Sequence, residues 1–210
     1  MQRRIEYFLS MASPWAYLGH DTFISLTQRY GIEVVVRPMP LRRLFPETGG
    51  LPLPKRHAVR QKYRLVELQR WRELRKLPFK FSPAYSPFDA TLLDCFVIAA
   101  INAGYDPDAF MRKAFSGIWS EERNLADPDI IIELAAAVGL PPSLLEQGRQ
   151  ETAQLTYETN LQDAINTGVF GAPSYVLDGE IFWGQDRLDL LDLALSTRRA
   201  AFIPEAAPAQ

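Results

Sequence analysis

Ile5-Glu6-Tyr7-Phe8-Leu9-Ser10-Met11-Ala12-Ser13-Pro14-Trp15-Ala16-Tyr17-Leu18-Gly19-His20 is the stretch that decides how this chain folds. Its apolar run, Tyr7-Phe8-Leu9, breaks at small polar residues, and a helical pattern starts at Ser13-Pro14. A serine hydroxyl can accept from the exposed N–H groups of a helix start, and proline fits the first helical position. A strand feeding a helix N-terminus leaves free N–H groups and a positive dipole end aimed at one spot, where an anion is stabilised. Residues 4–9 therefore read as a strand and 14–30 as a helix, with Trp15, Leu18, Thr22, Phe23, Leu26 and Tyr30 spaced by threes and fours and Gly31 ending it. Ile32-Glu33-Val34-Val35-Val36 is β-branched and strand-like, and the short joints imply a parallel pair with a right-handed crossover.

Prolines and glycines from Pro38 to Pro54 then predict a long loop. Lys55 to Lys80 holds ten of the 23 Lys and Arg, with Leu65, Leu68, Trp71 and Leu74 as its apolar side and Glu67 and Glu73 interspersed. That stretch reads as a helix with a solvated basic face rather than a nucleic-acid site. A second proline-broken linker runs from Pro78 to Pro87. Thr91 to Ala103 is apolar nearly all round and should be buried, with Cys95 an inert core thiol. Asp106-Pro107 and Asp127-Pro128 read as helix starts, Gly104 and Gly139 as helix ends, and Pro141-Pro142 as the opening of a short helix. A longer helix over about 149–166 should turn Leu155, Leu161 and Ile165 inward. Ser174 to Leu177, the turn Asp178-Gly179 and Ile181 to Trp183 make a hairpin, and Arg187 to Thr197 a closing helix with a frayed tail after Ala200.

The order is βαβ, a helical block, then αββα. It fits an α/β fold with a four-stranded sheet built from the two ends, 1–45 and 149–210, interrupted by a helical insertion over 46–148. The 210 residues, 47% hydrophobic with a net charge of −2, suit a globular protein and argue against general nucleic-acid binding. The chain contains no apolar run near the roughly 20 residues a membrane span needs and no signal-peptide pattern at its start, so the cytoplasm is the expected location. Cys95 is the only cysteine, which excludes an intrachain disulfide and a Cys-x-x-Cys pair. His20 and His57 lack metal-ligand spacing, and no metal site is expected.

Ser13-Pro14-Trp15-Ala16 sits where redox members of the thioredoxin fold carry Cys-Pro-x-Cys, and Gly171-Ala172-Pro173-Ser174 where they have a cis-proline loop. The run Gly168-Val169-Phe170-Gly171-Ala172-Pro173, followed by Asp178-Gly179-Glu180-Ile181-Phe182-Trp183-Gly184-Gln185-Asp186-Arg187-Leu188, resembles the 2-hydroxychromene-2-carboxylate isomerases. These are relatives of the kappa-class glutathione transferases in the DsbA-like branch of the fold. The resemblance covers most of the chain. It implies a thioredoxin-like mixed sheet and a glutathione-dependent enzyme, with a homodimer expected by family analogy. With no cysteine at 13 or 16 a dithiol cycle is impossible, so the thiol is implied to come from bound glutathione. The implied reaction adds the thiolate to a conjugated carbon, lets the resulting single bond rotate and expels the thiol, interconverting the chromene and trans-o-hydroxybenzylidenepyruvate forms.

Within that resemblance Ser13 is the catalytic residue, a hydrogen-bond donor to the thiolate rather than a nucleophile, since no base stands in its motif. Ala172 and the expected cis Pro173 would hold the cysteinyl part of glutathione. Gln185 and Asp186, opening the final helix, would hold its γ-glutamyl end, with Trp183 and Gly184 completing the wall. Asp186 could also cap that helix. Arg43, Lys55 and Arg56 are implied for the glycyl or substrate carboxylate, and Tyr85 for the aromatic side of a small aromatic carboxylate. Gly50, after Thr48-Gly49, stands where the family commonly places an asparagine that contacts glutathione. A kappa-like transferase acting on other electrophiles, or a thioredoxin-like binding protein without catalysis, are the alternatives.

Overall fold

The computed structural model describes residues 3–204. Its elements are β1 (Arg4–Leu9), α1 (Pro14–Tyr30), β2 (Glu33–Pro38), α2 (Leu41–Thr48), α3 (Ala58–Arg75), α4 (Thr91–Asn102), α5 (Asp108–Trp119), α6 (Pro128–Ala136), α7 (Leu144–Arg149), α8 (Glu151–Thr167), β3 (Ser174–Leu177), β4 (Glu180–Trp183) and α9 (Leu188–Thr197). The sheet order is β2-β1-β3-β4, with β1 and β2 parallel and both other pairs antiparallel. This is the thioredoxin-like four-stranded mixed sheet that the resemblance implies.

Strand β1 shows why the sheet is sandwiched. Ile5, Tyr7 and Leu9 join the larger core with α1 and the helical block, while Phe8 joins Met39, Leu161, Ala164 and Val176 on the opposite face. A period of two thus sends alternate side chains to two apolar layers. The larger core is continuous from β1 through α1 to Phe96, Phe110, Phe115 and Leu144 of the block, so the helices after β2 share their hydrophobic interior with the sheet. On the second face Arg37 ties β2 to Glu6 at 2.6 Å and to Asp163 of α8 at 3.0 Å.

Several local expectations change. Pro38 to Pro54 is not all loop: α2 forms there despite Pro46, because Leu44 buries and the Pro40 carbonyl accepts from Arg43 and Leu44. Of the expected apolar side of α3 only Leu68 is buried, while Leu65 and Leu74 are exposed. Leu155 points outward rather than inward, whereas Leu161 is buried as read. Asp106 accepts from the Asp108 N–H but Pro107 is the cap of α5, so the helix starts one residue late. Helix α7 starts at Leu144, and the Pro141 and Pro142 carbonyls accept its first N–H groups while Ser143 makes no side-chain cap. The segment after Ala200 is anchored as far as Phe202, whose N–H donates to Glu180 at 3.0 Å and whose ring lies 3.9 Å from the Arg199 guanidinium. Residues 205–210 of that tail lie outside the described residues.

Candidate active site

The end of β1 delivers Ser10 to Ser13 to the start of α1. A turn closed by Ser13 N–H to Ser10 O at 2.9 Å fixes the approach, and Ser13 caps α1 by accepting from the Ala16 N–H at 3.3 Å. The same hydroxyl donates, at 3.4 Å, to the Ala172 carbonyl, and the Ala172–Pro173 peptide bond is cis. Residues 159 positions apart in the chain therefore meet at the positive end of α1. Ser13 is almost fully buried, and the described residues place no histidine beside its hydroxyl, so it has no base to make it a nucleophile.

The wall beyond Pro173 is set by β4 and the 3₁₀ turn Gln185–Arg187 that follows it. Gly184 adopts a φ of 97° that an L side chain rarely takes, and its N–H closes back on the Pro173 carbonyl at 2.9 Å. Gln185 is 1% exposed and packs so tightly on α1 that a Cβ at Gly19 would overlap its own Cβ. Its Oε1 accepts from Arg75 of α3 at 3.2 Å, while its Nε2 is buried without a partner among the described residues. Asp186 does not cap α9, whose first residue is Leu188 and which has no side-chain cap; its carboxylate instead pairs with Arg187 at 2.6 Å. Gln185 and Asp186 thus sit in the turn before the final helix rather than opening it. Trp183 is half-exposed against Phe170, with ring centroids 4.7 Å apart, and Gly171 leaves the space its indole fills.

The other residues expected for carboxylate or aromatic contacts are less closely gathered. Arg43 is held in a two-pronged ion pair with Glu158 of α8. Lys55 is exposed in a 3₁₀ turn, and Tyr85 is 52% exposed in the second linker. Arg56 donates to the Leu51 carbonyl at 2.7 Å. Gly50 has a local reason to lack a side chain: a Cβ there would lie 2.5 Å from Cδ1 of Phe45, whose carbonyl already accepts the Gly50 N–H at 2.8 Å. The Phe45 ring covers the position that an asparagine would otherwise take.

Sequence reading missed Asp94. It sits at 0% exposure on α4 and binds the turn that carries Ser13. Its Oδ1 accepts from the Met11 N–H at 2.7 Å, and its Oδ2 from Ser10 Oγ at 3.0 Å and Tyr157 OH at 2.9 Å. Burial pushes the carboxyl up to about 7, against the pull of those three donors. The one signal was an acid inside the run Leu92-Leu93-Asp94-Cys95-Phe96-Val97-Ile98, where an unpartnered carboxylate would be prohibitive. Cys95 beside it is buried, its thiol pushed up to about 12 by burial and then by the Asp94 charge, which fits an inert core residue. His20 is enclosed between Tyr7 OH at 3.5 Å and Asp108 at 2.9 Å, and His57 caps α3 from the surface.

The chain is similar over nearly its whole length to several known proteins. A 2-hydroxychromene-2-carboxylate isomerase of Sphingobium xenophagum is 29% identical over 195 residues, covering 91% of this chain and 97% of that protein. Human glutathione S-transferase kappa 1 is 22% identical, covering 100% of this chain and 98% of that protein. A solved 2-hydroxychromene-2-carboxylate isomerase superposes with a TM-score of 0.79 at 24% identity, over 93% of this chain and 95% of that one. Among the described residues no helix is long and apolar enough to cross a membrane. The family model of the DSBA-like thioredoxin domain matches residues 4–196, and the chain belongs to that family.

Proposed function

We propose that the chain is a glutathione-dependent isomerase of the 2-hydroxychromene-2-carboxylate type, with Ser13 as the group that stabilises the glutathione thiolate. The observation that carries this reading is the Ser13 hydroxyl, buried at the first turn of α1 and 3.4 Å from the Ala172 carbonyl. A thiolate brought to that point would meet a hydroxyl donor and the positive end of a 17-residue helix, both of which favour its ionised form. The family's usual dithiol is missing here, so a thiol must come from outside the chain. Isomerase relatives at 29% and 25% identity favour this chemistry over other uses of the fold.

The residues present fit glutathione. The buried, unpartnered Gln185 Nε2 offers a donor beside the Asp186 carboxylate, a combination suited to an amino acid end carrying both a carboxylate and an ammonium. Ala172, before Pro173, would align the cysteinyl backbone, and Trp183 with Gly184 would close the side. Arg43, Lys55 and Arg56 remain as contacts for the glycyl or substrate carboxylate and Tyr85 for the aromatic side, while Gly50, covered by the Phe45 ring, would offer no side-chain amide. When bound, glutathione supplies a thiol able to add to a conjugated carbon and leave again after bond rotation. Ser13 holds its proton toward the sulfur throughout, and the wall of Trp183 and Gln185 limits water.

Thiolate absorbance on titration with glutathione tests the proposal. The wild-type protein should show it at neutral pH, and Ser13→Ala should reduce it. Absence of binding at millimolar glutathione would overturn the reading. The kappa-class relatives favour one second reading, a transferase on the same cradle. Accumulation of a stable conjugate, in place of regenerated glutathione, would identify it.

A further inference from the structure

Among the described residues Asp94 is the only buried acid, and no cation pairs with it. Its partners are neutral donors: the Met11 N–H at 2.7 Å, the Ser10 hydroxyl at 3.0 Å and the Tyr157 hydroxyl at 2.9 Å. The ionisable groups packed around it bring no counter-charge. Tyr157 lies on α8, Cys95 is the next residue of α4, and Asp89, just before α4, adds a like charge. Glu158 of α8 is held by Arg43, Glu146 and Arg149 of α7 pair with each other at the surface, and Arg37 of β2 is engaged by Glu6 and Asp163. Burial favours the neutral acid and the three donors favour the anion, so the carboxyl is poised between its two charge states, with burial holding it up to about 7.

Connectivity fixes what that charge acts on. Asp94 holds residues 10 and 11, the Ser13 N–H returns to the Ser10 carbonyl at 2.9 Å, and Ser13 opens α1. Two residues of backbone and one side chain put a sulfur beside the Ser13 hydroxyl about 10 Å from the carboxyl. At that separation inside a protein, one negative charge opposes the formation of a second by about tenfold. The N-terminus of α1 acts in the opposite sense and at every pH. A thiol at Ser13 thus meets one influence that always favours its ionised form and another that opposes it only while Asp94 is charged. The coupling is reciprocal: a thiolate in the cleft favours proton uptake by Asp94 from solvent, offsetting the proton that the thiol releases.

We infer that Asp94 is a positioning residue for the thiol at Ser13 and that its charge sets how readily this thiol ionises: the protonated acid braces the turn without opposing a thiolate, and the ionised acid braces it and opposes one. Asp94 has this role in the enzyme only if the Ser13 cleft is a thiol site, as proposed above, and Ser13→Cys separates the two by supplying the thiol covalently. Its alkylation by iodoacetamide, followed against pH with wild type as the blank for Cys95, reports the ionisation of a sulfur at this point. Ser13→Cys should show a two-step rise. Adding Asp94→Asn should leave one step, at about tenfold greater acidity. Adding Tyr157→Phe instead, which keeps the acid but removes a donor that favours its charge, should shift the profile the same way by less. A brace without charge control predicts the reverse, since loosening the turn draws the thiol from the helix end and makes it less acidic. Lower acidity in the Asp94→Asn background, or one unchanged step in all three proteins, overturns the inference. Where Asp94→Asn does not fold, the number of steps in Ser13→Cys decides. Coupling seen in Ser13→Cys while wild type ignores millimolar glutathione would keep the role of Asp94 and remove the glutathione reading. A glutathione thiolate in wild type, with no effect of Asp94→Asn on the introduced thiol, would do the opposite.

Discussion

Replacing Asp94 by asparagine isolates the carboxyl that braces the Ser13 turn. The substitution keeps the shape: the amide oxygen can accept from Met11, and the amide nitrogen can donate to the hydroxyl oxygens of Ser10 and Tyr157, which now accept. What it removes is a titration. Burial raises Asp94 from 3.8 in the unfolded chain to about 7 in the fold. The folded state therefore binds this proton more tightly, and its contribution to stability is complete below pH 3.8 and lost as pH rises to about 7. Three pH units correspond to about 4 kcal/mol. Urea unfolding of both proteins at pH 4, 5.5 and 7.5 measures it. All other titrations are common to the two proteins, so the stability of Asp94→Asn relative to wild type should rise by about 4 kcal/mol between pH 4 and pH 7.5. A difference that does not change with pH would mean that the three donors, and not burial, govern Asp94, and would refute the reasoning.

Two further outcomes follow from the packing around the same cleft. Gly19→Ala should gain about 1 kcal/mol of helix propensity but lose about 1–3 kcal/mol to overlap with Gln185, so the melting temperature should fall and glutathione affinity with it. A rise in melting temperature would show that the Gln185 turn yields freely. Asp186→Asn should weaken glutathione binding by roughly 1.5–3 kcal/mol if its carboxylate exchanges Arg187 for the ligand ammonium, measured by calorimetry.

What the sequence made legible was set by short-range rules. Ser13-Pro14 and Gly31 bound α1, and Asp178-Gly179 made the hairpin turn. Failures came where tertiary contact overrode local signals. Pro46 reads as a helix breaker, yet α2 tolerates it because Leu44 is buried. Leu65, Leu74 and Leu155 follow helical spacing without a partner surface to meet them. Asp94 was invisible for a different reason. It is polar on an element read from its other residues, and its role comes from a turn distant in sequence that carries Met11. Likewise, only the Phe45 ring explains why Gly50 has no side chain.

In the proposed reading, Ser13 lets a fold that elsewhere carries cysteine chemistry serve a thiol brought from outside. Its hydroxyl has one proton and two lone pairs. A lone pair takes the Ala16 N–H at 3.3 Å and holds the helix start, while the proton goes to Ala172 O over 3.4 Å, near the limit of a useful hydrogen bond. These two uses do not compete. An arriving thiolate can take the proton from the Ala172 carbonyl, giving up little, while the cap on α1 stays intact. Beneath, the Asp94 carboxyl fixes Ser10 and Met11 through three donors, so the turn need not rearrange when that proton changes partner. A cysteine at this position would itself be the reactive sulfur. A serine leaves space and a proton for another's.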